Sequence, residues 1–235
     1  MMSTLRIWLG TRRPLAWSIL MLVSALAVPV ASLLTGGYPY RLVLYEDMLC
    51  VTGISADNPV QEINSICPPG SVIRMGTISL PEMLSWLCFV GAAASLCPSM
   101  GGWERLHRRR IRTTATLAMA MTLIMPLLGT LVSALVWREG TSMEYGCMLA
   151  NLMVDLGITL LAILCLGRLY GSLAAVGCLA LCIATQPWHP SWRAYPWTTA
   201  GNLWSLMSIG ALLCLVGICG WAYTCGYVRL DACER

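Results

Sequence analysis

Lysine is missing from all 235 residues; every one of the fifteen basic side chains is arginine. A Walker A phosphate loop needs its lysine on the β- and γ-phosphates, and Schiff-base chemistry needs an amine nucleophile, so both are excluded from this chain. Charge of either sign is scarce, at 11% of residues against roughly 25% in a soluble domain. Only two histidines are present, and there is no C-x-x-C, H-E-x-x-H or G-x-S-x-G. Metal-hydrolase and serine-hydrolase chemistry therefore have no foothold, and the chain is not read as an enzyme. What fills the sequence instead is apolar: 57% hydrophobic residues and a mean hydropathy of +0.70. Such a chain belongs in a lipid bilayer. The net charge of +4 is explained by arginines in cytoplasmic loops, with no need for a nucleic-acid partner.

A bilayer-spanning helix takes about 20 mostly apolar residues. Six runs approach that length, at 14–34, 78–96, 113–137, 147–167, 169–185 and 203–223. The run at 14–34 follows Arg12 and Arg13 as a secretory signal would, yet it exceeds the roughly 7–15 residues of a signal core and reads as a span. With the N-terminus inside, Arg6, Arg12, Arg13, Arg105, Arg108, Arg109, Arg110, Arg112, Arg168, Arg229 and Arg235 fall on the cytoplasmic side. Only Arg41, Arg74, Arg138 and Arg193 fall outside. That asymmetry predicts an all-α membrane protein: a bundle of six transmembrane helices in one domain, multi-pass in the cell membrane, with both termini cytoplasmic. Residues 38–77 form a long extracellular loop rich in Pro, Gly, Asn and Asp, either a small cap or a flexible connection.

Asp155 falls within the fourth run, where an ionised carboxylate costs at least about 2.5 kcal/mol to insert. Asn151, Asp155 and Thr159 recur at i, i+4 and i+8 and make one polar stripe. The stripe is expected to face inward, either as a substrate pathway or gating contact or as a hydrogen-bonded seam against Asn202, Ser205 or Ser208. Glu82, near the outer boundary of the second run, is expected to stay hydrated. Of the twelve cysteines, Cys88, Cys165, Cys178, Cys182, Cys214 and Cys219 lie within predicted spans and read as small hydrophobes. Cys50 and Cys67 share the outer loop and are candidates for a disulfide, with Cys147 as the rival partner. Met119, Met121 and Met125 do not share a helical face, so they read as core filling rather than soft-metal ligands. His107 and His189 fall on opposite sides of the membrane. QPWHPSWRAYPW, residues 186–197, has the Trp and Tyr of an interfacial belt and prolines that forbid a straight helix, so it should lie on or dip into the outer leaflet.

Three features together resemble a known family, the type-2 permeases of ATP-binding-cassette (ABC) transporters in Gram-positive bacteria. Leu5, Trp8, Leu9 and Arg12 stand at helical spacing before the first span, as in the interfacial helix (here 1–13) with which those permeases begin. The stretch WERLHRRRIRTT sits in the 97–112 cytoplasmic loop, where the family places its coupling helix, and QPWHPSWRAYPW sits where it has a re-entrant element. The resemblance implies a permease dimer, homo- or heteromeric, in contact with membrane lipid and with separate ATP-binding subunits that hold the ATP and Mg. Glu104, Arg105, Arg108, Arg109 and Arg112 would contact that ATPase. The alternative is a non-transporting membrane partner: a sensor, immunity protein or accessory subunit of a larger complex.

Overall fold

The structure, a computed structural model, describes residues 14–35, 41–45, 75–97, 108–136, 142–186, 192–194 and 200–224. These residues form five helices and one strand pair. In chain order they are α1 (Pro14–Leu34), β1 (Arg41–Tyr45), β2 (Met75–Ser79), α2 (Leu80–Leu96), α3 (Arg108–Val136), α4 (Ser142–Thr185) and α5 (Ala200–Thr224). Four of the helices are long and apolar enough to cross a bilayer; α2 is apolar but shorter, at 17 residues. The chain is a multi-pass helical membrane protein.

Its surface and interior are arranged for lipid. The exposed side chains of α1 include Leu15, Ile19, Leu22, Leu26, Val30 and Leu33, an aliphatic stripe at helical spacing. Buried on α1, α2 and α3 are Ser24, Ser32, Ser85, Thr122, Thr130 and Ser133. Their hydroxyls are satisfied inside the protein: Ser24 Oγ donates to the Ser85 carbonyl at 2.7 Å and Ser85 Oγ returns a bond to the Ser24 carbonyl at 2.8 Å. Trp17 Nε1 donates to Thr122 Oγ1 at 2.8 Å, and Tyr145 OH donates to Ser32 Oγ at 2.8 Å. Lipid offers no competing partner, so such bonds join helices that hydrophobicity alone would leave apart.

Two proline and glycine positions decide the packing. Pro29 lies inside α1 and has no N–H for the Ala25 carbonyl one turn earlier. That carbonyl oxygen instead presses on Gly129 of α3; a Cβ on Gly129 would lie 2.1 Å from it. Only glycine admits the approach. In α4, Gly167 has φ 84° and ψ −179°, a backbone conformation open essentially to glycine alone. The helix does not run straight through it. A straight run over 143–185 would be about 65 Å long, twice the hydrocarbon thickness. A Cβ on Gly171 would instead meet Ile163 Cα at 2.5 Å, whereas residues eight apart on one straight helix stand about 12 Å apart. The chain therefore turns back at Gly167, and α4 is two antiparallel arms.

The first arm of α4 packs against α5 in parallel. Cβ atoms built on Gly146, Gly157, Gly210 and Gly217 would meet Leu203, Leu213, Met153 and Leu160 respectively, so 146, 153, 157 and 160 pair in rising order with 203, 210, 213 and 217. Close glycine contacts of this kind are the usual means of drawing membrane helices together. Parallel neighbours require the intervening chain to return across the bundle, and the second arm of α4 does so. The main core lies between α2, α3, α4 and α5, around Trp86, Phe89, Met119, Leu156, Leu160 and Trp221.

The strands pair antiparallel, Arg41 opposite Ser79 and Tyr45 opposite Met75. The predicted outer loop is thus tied at its base by a β-stem, a feature the all-helical expectation lacked. Residues 98–107, which hold most of the predicted coupling loop, lie outside the described residues. From Arg108 onward, the arginine-rich stretch is the first turns of α3 itself, because the helical pattern continues into the apolar span without a breaker.

Candidate functional site

β2 runs directly into α2 through Ser79, the N-cap, whose extended backbone (φ −72°, ψ 129°) starts the helix with Pro81 in the first turn. Glu82 follows three residues after the cap, the capping-box position, and its carboxylate faces the Ser79 backbone N–H. The first turn of α2 is thereby fixed, with a carboxylate directed into the bundle. Glu82 is 3% exposed, so the expectation of a hydrated boundary residue does not hold.

Its partner is Arg193. The arginine is 2% exposed, and one guanidinium nitrogen, Nη2, bonds both Glu82 Oε1 and Asp155 Oδ2, the latter at 3.1 Å. Two carboxylates from α2 and α4 therefore share one cation from the segment between α4 and α5. Asn151, one turn before Asp155, fixes the same segment by its backbone. Its amide nitrogen donates to the Ala194 carbonyl at 3.1 Å, and the Ala194 N–H donates to Asn151 Oδ1 at 2.7 Å. Both main-chain groups of a non-helical residue are thus satisfied, as burial at this depth demands. One turn further on, Thr159 Oγ1 accepts from Trp86 Nε1 at 2.9 Å and donates to the Asp155 carbonyl at 2.7 Å.

The predicted stripe of Asn151, Asp155 and Thr159 is therefore one surface facing inward, but its neighbours are α2 and residues 193–194. Ser205 and Ser208 of α5 are exposed, and the side chain of Asn202, the third expected partner, lies outside the described residues. Asp155 lies level with the first turn of α2 and about midway along the first arm of α4, so the stripe faces the end of α2 that β2 enters. Gly167, Arg168 and Ala94 gather at the other end. The aromatic segment does more than lie in an interface, since its Arg193 and Ala194 enter the bundle while Trp192 stays exposed. Sequence reasoning missed Arg193. The available signal was charge balance: two carboxylates in apolar helices need a cation, and Arg193 is the arginine in the segment between α4 and α5.

Arg112 is exposed on the first turns of α3, with Arg108 and Arg109 preceding it. Glu104, Arg105, Cys50, Cys67, His107 and His189 lie outside the described residues, as do residues 1–13. Met119 is buried and Met121 exposed, so these methionines do not converge. No protein family, characterised protein or solved structure matches the chain.

Proposed function

We propose that this chain is the membrane-spanning permease subunit of an ABC transporter, with six spans and both termini in the cytoplasm. The observation that carries the reading is the buried 193–194 segment between the second arm of α4 and α5, held by Arg193 to two helices. The resemblance places a re-entrant element at this point of the chain. The two arms of α4, counted separately, make six crossings with the other four helices, and the arginine-rich start of α3 then faces the cytoplasm. There Arg108, Arg109 and Arg112, with Glu104 and Arg105 before them, meet an acidic groove on a separate ATPase that holds ATP and Mg. The stripe's polar groups are taken up by Arg193, Ala194 and Trp86, so in this reading it seals the outer end. The substrate route runs between two permease copies.

The test is charge reversal at the start of α3. Arg108→Glu with Arg112→Glu should insert normally yet lose at least tenfold of the co-purifying ATPase. A double variant that inserts, retains its ATPase and supports the same stimulated ATP hydrolysis contradicts the coupling role. The filled stripe also favours a second reading, a non-transporting membrane partner, because a packed polar seam needs no substrate. Purification of the wild-type chain from native membranes in a complex without any nucleotide-binding subunit would favour that reading.

A further inference from the structure

At the end of the bundle that carries the Gly167 turn, a cleft of about 240 Å³ opens between the end of α2 and the second arm of α4. Ala94 forms one wall; Leu169, Leu173 and Val176 form the other, with Arg168 and Ser172 beside them. Residues 169, 173 and 176 follow i, i+4 and i+7 and share one helix face. All three are exposed among the protein's own atoms. From Arg168 to Val176 the cleft runs about 12 Å along the arm. Ser172 Oγ donates to the Arg168 carbonyl at 2.7 Å and is spent within the helix.

Arg168 is exposed, and among the described residues its guanidinium enters no ion pair. It opens the second arm, where first-turn N–H groups add partial positive charge. A cation at the mouth of an apolar cleft matches a molecule with an anionic head and a hydrocarbon tail. The exposed α1 stripe from Leu15 to Leu33 has the tail-binding half of this chemistry but no charge among its described residues. At the cleft an apolar wall and a neighbouring exposed cation stand side by side.

We propose that the cleft binds one anionic phospholipid, its phosphate on Arg168 and an acyl chain along Leu169, Leu173 and Val176. The inference is independent of the transport reading and needs only the membrane setting.

The experiment is native mass spectrometry of the full chain, delipidated in detergent and then offered phosphatidylglycerol or phosphatidylcholine at matched concentration. Wild type should retain phosphatidylglycerol about fivefold better, the preference expected of one arginine near an anionic head group. Arg168→Gln should bring the two lipids to parity, and Arg168→Lys should keep the preference. Val176→Trp, which fills the cleft, should lower phosphatidylglycerol binding by a similar factor. These side chains are exposed, so the fold is retained, and elution at the wild-type volume checks it. Equal retention of the two lipids by wild type, or phosphatidylglycerol binding that survives either Arg168→Gln or Val176→Trp, overturns the proposal.

Discussion

Arg193 occupies a position that an isolated arginine does not tolerate. Removing one member of a buried ion pair leaves the other charge without compensation, typically at a cost of 3–5 kcal/mol. Here the loss strands two carboxylates, Glu82 and Asp155, on facing helices. Arg193→Met should therefore lower the thermal stability of the detergent-solubilised protein sharply, by about that amount. Combining it with Glu82→Gln and Asp155→Asn removes every stranded charge and should restore most of the loss. Melting followed by size-exclusion chromatography compares the two; a triple variant no more stable than Arg193→Met would mean that charge balance is not what holds the segment. At this scale the sequence was only half informative. Asn151, Asp155 and Thr159 were recognisable as one inward face because helical spacing is local. Their partner lies 38 residues from Asp155 and 111 from Glu82, and no local pattern links residues that meet only after the chain has crossed the bundle.

Among the elements, the apolar runs located the helices because bilayer thickness fixes their length. The run at 14–34 coincides with α1, and the gap between the fourth and fifth runs falls on the Gly167 turn. The strand pair escaped because residues 41–45 and 75–79 are short and their pairing joins distant ends of a polar loop. The start of α3 escaped because arginines are good helix formers, so a basic loop and a basic helix end look alike in sequence. Two glycines of opposite meaning test the turn in α4. Gly167 has a positive φ, and Gly167→Ala should cost about 1–3 kcal/mol through backbone strain. A Cβ at Gly177 would meet nothing within 4 Å, so Gly177→Ala should be neutral or stabilise by roughly 0.5–1 kcal/mol from helix propensity. Melting temperatures of the two variants should move apart; equal effects would indicate that α4 passes straight through Gly167.

For the whole molecule, the triad, the asparagine clasp and the glycine seam describe one object: among the described residues, six helical segments with a non-helical segment drawn in between them. The parallel seam between α4 and α5 exists only because the second arm of α4 returns, and that return brings residues 193–194 to the end where Glu82 begins α2. Hence topology and site stand or fall together. Labelling in intact cells with a membrane-impermeant thiol reagent tests both at once. Single reporters are placed in a chain whose twelve cysteines are replaced by alanine or serine and which elutes as wild type. Asn58→Cys and Gly140→Cys should label from outside, Arg105→Cys and Arg168→Cys only after permeabilisation, and Ala194→Cys should stay protected until the protein is unfolded. Labelling of Arg168→Cys from outside, or of Ala194→Cys in the folded protein at the rate of Asn58→Cys, would contradict the account.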